Sequence, residues 1–133
     1  MQIHQRILVV DDHPCFRQLL RTFLEHNPNW EACGEASDGC EAITKTTELH
    51  PDIVLMDLDM PRLNGLEATR QIHKQSPSIR ILILTLHDNS MLPQIAQNSG
   101  AQGYVLKSES LDVLTRAIET VGESDQFFVS SKQ

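Results

Sequence analysis

The apolar residues of this chain fall into two kinds of pattern. Three runs, ILVV (7–10), IVLM (53–56) and ILIL (81–84), are unbroken. A shorter run, YVL (104–106), follows Gly103, and WEACGEA (30–36) is a fifth, less apolar candidate. Unbroken runs of this length suit strands of a parallel sheet covered on both faces; the more polar segment suits an edge. Between them, apolar residues recur at helical spacing. Phe16, Leu19, Leu20, Phe23 and Leu24 line one face of a helix that Pro14 can start. Asp38 is placed to cap a second helix carrying Ala42, Thr46 and Leu49. Gly65 opens a third, through about Lys74, closed by Ser76-Pro77. Leu92, Ile95, Ala96 and Ser99 give a fourth that stops at Gly100. Leu111, Leu114, Ile118 and Val121 give a fifth, before Gly122.

Strand and helix therefore alternate five times. That order predicts right-handed βαβ units in an α/β, doubly wound (βα)5 parallel sheet. Five such units imply a flavodoxin-like strand order, 2-1-3-4-5. Pro93 is tolerated only in a first helical turn, so the fourth helix is expected to begin near Leu92, leaving 87–91 as a mobile loop. The domain is expected over 1–122. Residues 123–133, ESDQFFVSSKQ, read as a linker stub, with Phe127-Phe128 as the apolar pair that could fold back.

Composition narrows the function. A length of 133 residues suits one domain. The net charge of −7 repels nucleic acid and anionic membranes. No apolar stretch approaches the roughly 20 residues of a bilayer span. The start, MQIHQRILVV, lacks the features of an export signal. A cytoplasmic protein is expected, with Cys15, Cys33 and Cys40 as reduced thiols. The six histidines show no H-x-x-x-H pair, which argues against a zinc site.

In an open α/β sheet, ligands sit beyond the carboxyl ends of the strands. Strand one ends in Asp11-Asp12, strand three in Asp57, strand four in Thr85 and strand five in Lys107. In the expected strand order these five side chains converge. Three carboxylates so close repel strongly unless cations stand among them. Lys107 supplies one charge, and a divalent ion with oxygen ligands, Mg²⁺ above all, supplies two more. A carboxylate in that setting can attack phosphorus. Asp57 stands alone at the tip of the central strand and is expected to be the phosphoryl acceptor. Asp11 and Asp12 are expected to bind the metal, and Thr85 and Lys107 to meet the charge of the transferring group.

The stretches ILVVDDHPCFRQLLRTFL, PDIVLMDLDMPRLNGLEATRQI, ILILTLHD and GAQGYVLKSES carry a resemblance. Over residues 5 to 122 the chain resembles the receiver domain of bacterial two-component response regulators. The DDHP start and GYVLK end look most like the NarL/FixJ (LuxR-type) subfamily, whose members usually carry a C-terminal helix-turn-helix. The resemblance implies that Asp57 is phosphorylated by a sensor histidine kinase or phosphotransfer protein. It implies that Asp12 ligates Mg²⁺ more directly than Asp11, and that Asp59 contributes its backbone carbonyl. Thr85 matches the switch hydroxyl, Lys107 the lysine that pairs with the phosphoryl group, and Tyr104 the aromatic that turns inward when Thr85 moves. The resemblance implies that DNA is reached only through a C-terminal helix-turn-helix domain missing from this sequence, and that a homodimer can form in that setting. The chain departs from the family's usual Lys-Pro at one point, Lys107-Ser108, where a cis peptide would be costly.

Two other readings compete. A haloacid-dehalogenase-type phosphatase also uses an aspartate nucleophile and Mg²⁺, and DLDMP superficially resembles its motif. That motif normally ends the first strand, however, and here the order is reversed. A degenerate receiver serving only as a binding module is the second. The intact aspartate, threonine and lysine set speaks against it.

Overall fold

The computed structural model describes residues 4–60 and 63–128. Residues 129–133, part of the expected linker, lie outside them. The elements run β1 (Gln5–Val10), α1 (Pro14–Glu25), β2 (Trp30–Ala36), α2 (Gly39–Leu49), β3 (Ile53–Asp57), α3 (Gly65–Gln75), β4 (Arg80–Thr85), α4 (Leu92–Asn98), β5 (Gly103–Leu106), α5 (Leu111–Gly122) and β6 (Phe127–Phe128). The sheet order is β2-β1-β3-β4-β5-β6, and every pairing is parallel.

The unbroken apolar runs supply two cores. Side chains alternate across a strand, so each run feeds both faces of the sheet. Ile7, Val9, Leu55 and Leu82 pack with Leu20, Leu24, Ile118 and Val121 of α1 and α5. Leu8, Val10, Met56 and Ile83 pack with Ala42, Ala68, Ile72 and Ala96 of α2, α3 and α4. A strand buried on both sides has no room for polar alternation, which is why the runs are continuous.

Helix boundaries follow local chemistry. The Asp38 carboxylate accepts the Glu41 N–H at 2.8 Å, capping α2 as the sequence suggests. Asn64 caps α3 in the same way through the Glu67 N–H at 3.0 Å. Helix α4 begins at Leu92 with Pro93 in its first turn and is only 7 residues long. Gly100 follows it with φ +107°, a conformation that favours glycine.

The sheet exceeds the expected five strands. Phe127 and Phe128 lie beside Gly103 and Tyr104 as β6. The Phe127 N–H donates to the Gln102 carbonyl at 2.9 Å. One phenylalanine packs against each core cluster. Two adjacent aromatics present one ring to each face of a sheet edge, so the pair binds β5 despite its polar flanks. The Lys107–Ser108 peptide is trans, and among the described residues no peptide is cis.

Candidate functional site

The carboxyl ends of β1, β3, β4 and β5 carry the chemistry. Asp11 and Asp57 are 1% and 5% exposed, and Thr85 is fully buried. Lys107 Nζ donates to Asp11 Oδ2 at 2.6 Å and stands 3.4 Å from Asp57 Oδ1. The lysine thus bridges the acids of two adjacent strands and lies closer to Asp11. Its ammonium also sits over the Phe16 ring, 4.4 Å from the centroid. That contact steadies a cation already withdrawn from water.

One ammonium among three acids leaves a deficit of positive charge. Burial pushes the Asp57 carboxyl up to about 6, and the neighbouring Asp11 carboxylate adds to the rise. Lys107 opposes it without cancelling it. The strand tip is therefore a costly place for a negative charge, and an added cation relieves the cost.

The donor set fits Mg²⁺. Asp11, Asp12, His13 and Asp57 each offer a ligand atom, all within 4.8 Å of one another. Asp12 Oδ1 is enclosed, yet no donor is aligned to hydrogen-bond it. His13 Nδ1 stands only 3.1 Å away, close enough for an ion pair when the ring is protonated. An enclosed carboxylate oxygen with unused lone pairs suits a hard cation that takes oxygen ligands.

Thr85 and Tyr104 share a partner at the end of β4. The His87 N–H donates to Thr85 Oγ1 at 3.1 Å. The Tyr104 hydroxyl donates to the His87 carbonyl at 2.7 Å. Tyr104 is 2% exposed and already lies inward. The family resemblance implies the inward position as the end-point of a switch; here the His87 carbonyl satisfies the phenol there. Burial raises the Tyr104 pKa, and the nearby Asp88 charge raises it further. The Asp59 side chain is exposed and turns to the His87 ring, away from the acid cluster.

Three participants are not evident from the sequence. His13 donates its backbone N–H to Asp11 Oδ1 at 2.8 Å. Phe16 covers Lys107. Arg17 donates to the Asp11 carbonyl at 2.7 Å. The signal for Phe16 is weak, since its helical spacing also matches an ordinary core face.

Gly65 gives the acceptor strand a close neighbour. A Cβ there would lie 2.0 Å from the Asp57 carbonyl oxygen and 2.9 Å from Leu58 Cα. Backbone on both sides cannot yield as a flexible side chain would. Gly65→Ala is expected to cost about 2 kcal/mol of stability, as for other overpacked sites, and to slow chemistry at Asp57 by displacing the strand tip. Urea unfolding and the labelling rate check the two effects. Unchanged values for both would show that α3 moves aside freely.

Comparison with known proteins agrees with this geometry. Residues 7–119 match the response regulator receiver domain. The transcriptional regulatory protein DegU of Brevibacillus brevis is 33% identical over 92% of this chain and 52% of its own length. LnrK of Bacillus subtilis, another transcriptional regulatory protein, is 40% identical over 87% of this chain and 53% of its own. The chain thus spans about half the length of the curated relatives it matches. Among solved structures, a LuxR-family two-component response regulator from Aurantimonas sp. SI85-9A1 superposes with a TM-score of 0.91 at 40% identity. That match covers 96% of this chain and 91% of the other. The response regulator domain of Thermotoga maritima CheB gives 0.80 at 32% identity, over 90% and 95% of the two chains. The converging strand ends, the parallel 2-1-3-4-5 core of the sheet and a match over nearly the whole chain agree, and the chain belongs to the response regulator receiver domain family.

Proposed function

We propose that this receiver accepts a phosphoryl group on Asp57 and converts that event into a change of its α4–β5–α5 surface. The observation carrying the reading is Lys107 bridging Asp11 and Asp57 beside an enclosed Asp12 oxygen that no donor is aligned to hydrogen-bond among the described residues. The phosphoacceptor unit takes in residues 1–122 together with the Phe127–Phe128 strand that completes its sheet. The donor is a phosphohistidine on a sensor kinase or phosphotransfer protein.

The transfer needs little from the protein beyond position and charge. One Asp57 Oδ attacks phosphorus as the P–N bond of the donor breaks. The electron pair stays on the imidazole nitrogen, which takes up a proton, and an acyl phosphate remains on Asp57. Lys107 keeps its ammonium beside the oxygens that gain charge. Asp11 and Asp12, with Asp57 and the Asp59 carbonyl, would hold Mg²⁺, which when bound neutralises charge on the transferring group. The Thr85 hydroxyl accepts from the His87 N–H, so its own proton is free to be donated. A Thr85 drawn toward the phosphoryl group stabilises the packing in which Tyr104 stays inward. The output is a differential affinity for partners between two states.

The family match indicates a phosphoacceptor switch and no enzyme family. At most the domain would catalyse its own labelling and dephosphorylation. No helix among the described residues is long and apolar enough to cross a membrane. We place the domain in the cytoplasm, where its kinase partner delivers the phosphoryl group. Also proposed are transcriptional control through a C-terminal DNA-binding domain, supported by two relatives that are transcriptional regulatory proteins of roughly double length, and homodimerisation of the longer protein.

Acetyl phosphate tests the reading. Phosphate-affinity gels should show a shifted band with Mg²⁺ and none with EDTA. Beryllofluoride with Mg²⁺ should shift Tyr104 resonances. Steady turnover of a phosphomonoester, with no labelled protein, would instead favour the phosphatase chemistry. Labelling undiminished by EDTA would remove the metal from the scheme.

A further inference from the structure

We propose that Arg17, gripped by Glu35, is a positioning residue that aims Asp12 at the bound cation. The inference rests on the Mg²⁺ reading above and adds to it a residue outside the acid cluster.

The Arg17 guanidinium works in two directions at once. One terminal nitrogen donates to the Asp11 carbonyl at 2.7 Å. Nε donates to Glu35 Oε1 at 2.8 Å. Arg21, one turn further along α1, holds the other Glu35 oxygen. The Arg17 side chain is 19% exposed, so the contact is largely shielded from water.

The Asp11 carbonyl belongs to the peptide that joins Asp11 to Asp12. Holding it fixes the plane from which the Asp12 side chain departs. The other contacts of Asp11 fix different atoms. Its N–H donates to the Ala36 carbonyl at 3.0 Å. Its carboxylate accepts from the His13 N–H and from Lys107. Among the described residues, Arg17 alone donates to that carbonyl. This carbonyl lies past the last paired residue of β1, Val10, so the strand ladder does not hold it.

Charge alone would act in the opposite sense. A guanidinium near three carboxylates repels an incoming divalent cation. Glu35 offsets that charge. Burial pushes the Glu35 pKa up, but hydrogen bonds and charge from Arg21 and Arg17 outweigh it, and the carboxyl ends below its ordinary value. The arrangement therefore uses the geometry of the guanidinium while muting its field. A planar fork that grips two acceptors is something lysine does not reproduce.

Calorimetric Mg²⁺ titration of the purified chain decides the matter, with His13 amide shifts as a second readout. Arg17→Met is expected to weaken Mg²⁺ binding about tenfold, as loss of an orienting partner does elsewhere. Arg17→Lys should recover part of the affinity. Glu35→Gln should weaken binding as well, and the two effects should fall short of adding. Should Arg17→Met fail to fold, Glu35→Gln and Arg17→Lys carry the test. Wild type that binds Mg²⁺, with folded variants that bind equally well, would leave Arg17 as a simple tie between α1 and β2 and overturn the inference. Tighter binding by Arg17→Met would show that its charge dominates, and would overturn the inference equally. Wild type that fails to bind Mg²⁺ would defeat the underlying reading instead, and the inference with it.

Discussion

Asp57→Asn is expected to abolish labelling by acetyl phosphate and to make the metal-free protein more stable. The first effect is chemical. An amide oxygen is a poor nucleophile, and Asp57 is the sole carboxylate within β3. The second effect follows from the environment. The Asp57 carboxyl is raised from 3.8 to about 6, first by burial and then by the Asp11 charge. A raised carboxyl stabilises the fold only while protonated. Its contribution is complete below the unfolded value and is lost as pH rises through about 6. At pH 7.5 the wild type therefore bears a cost that the asparagine variant does not.

Two pKa units correspond to roughly 3 kcal/mol. Water at the open mouth screens part of that, so a gain of about 1–2 kcal/mol is the working figure. Thermal unfolding in EDTA should show Asp57→Asn melting about 3–6 °C above wild type at pH 7.5. The gap should close toward pH 4. A variant less stable than wild type at pH 7.5 would mean that Asp57 is well accommodated as an anion. The case for a cation in the crevice would then lose its energetic footing.

Lys107→Ala should do the reverse. Removing the ammonium leaves its acidic partners without their one buried cation. The loss of one member of a buried ion pair costs several kcal/mol in dry interiors. With solvent near the mouth, about 2–3 kcal/mol is expected at pH 7.5. The loss should shrink at pH 5, where Asp57 is largely neutral, but persist because the 2.6 Å contact with Asp11 is gone at either pH. Added Mg²⁺ should raise the melting temperature of the variant more than that of wild type. Labelling should slow by about 10²-fold or more, the usual effect of deleting a group that stabilises developing charge. Equal stability of variant and wild type at pH 7.5 would show that the acids do not depend on Lys107.

The two substitutions pull stability in opposite directions because they act on opposite signs of one crowded site. Proteins accept such a cost where chemistry requires it. Here the cost is local, because Asp11 and Asp57 sit where the unbroken apolar runs of β1 and β3 end.

Most of the architecture was legible in the chain. Runs such as Ile7–Val10 and Ile81–Leu84 are continuous because both faces of each strand are buried, and that constraint is written in adjacent residues. The start of α4 at Leu92 and the cap at Asp38 are likewise local matters of proline geometry and a side-chain oxygen. Acids, hydroxyl and lysine at the strand ends were visible too, since position at a strand terminus is a property of sequence. What the chain could not display was anything decided between elements. The added strand at Phe127–Phe128 depends on the free edge of β5, which exists only once the sheet has assembled. Phe16 over Lys107, Arg17 on the Asp11 carbonyl and Tyr104 turned inward onto His87 each join residues whose proximity comes from register and rotamer. Sequence pattern records which residues leave water; close packing then selects which of them meet, and that selection exists only in three dimensions.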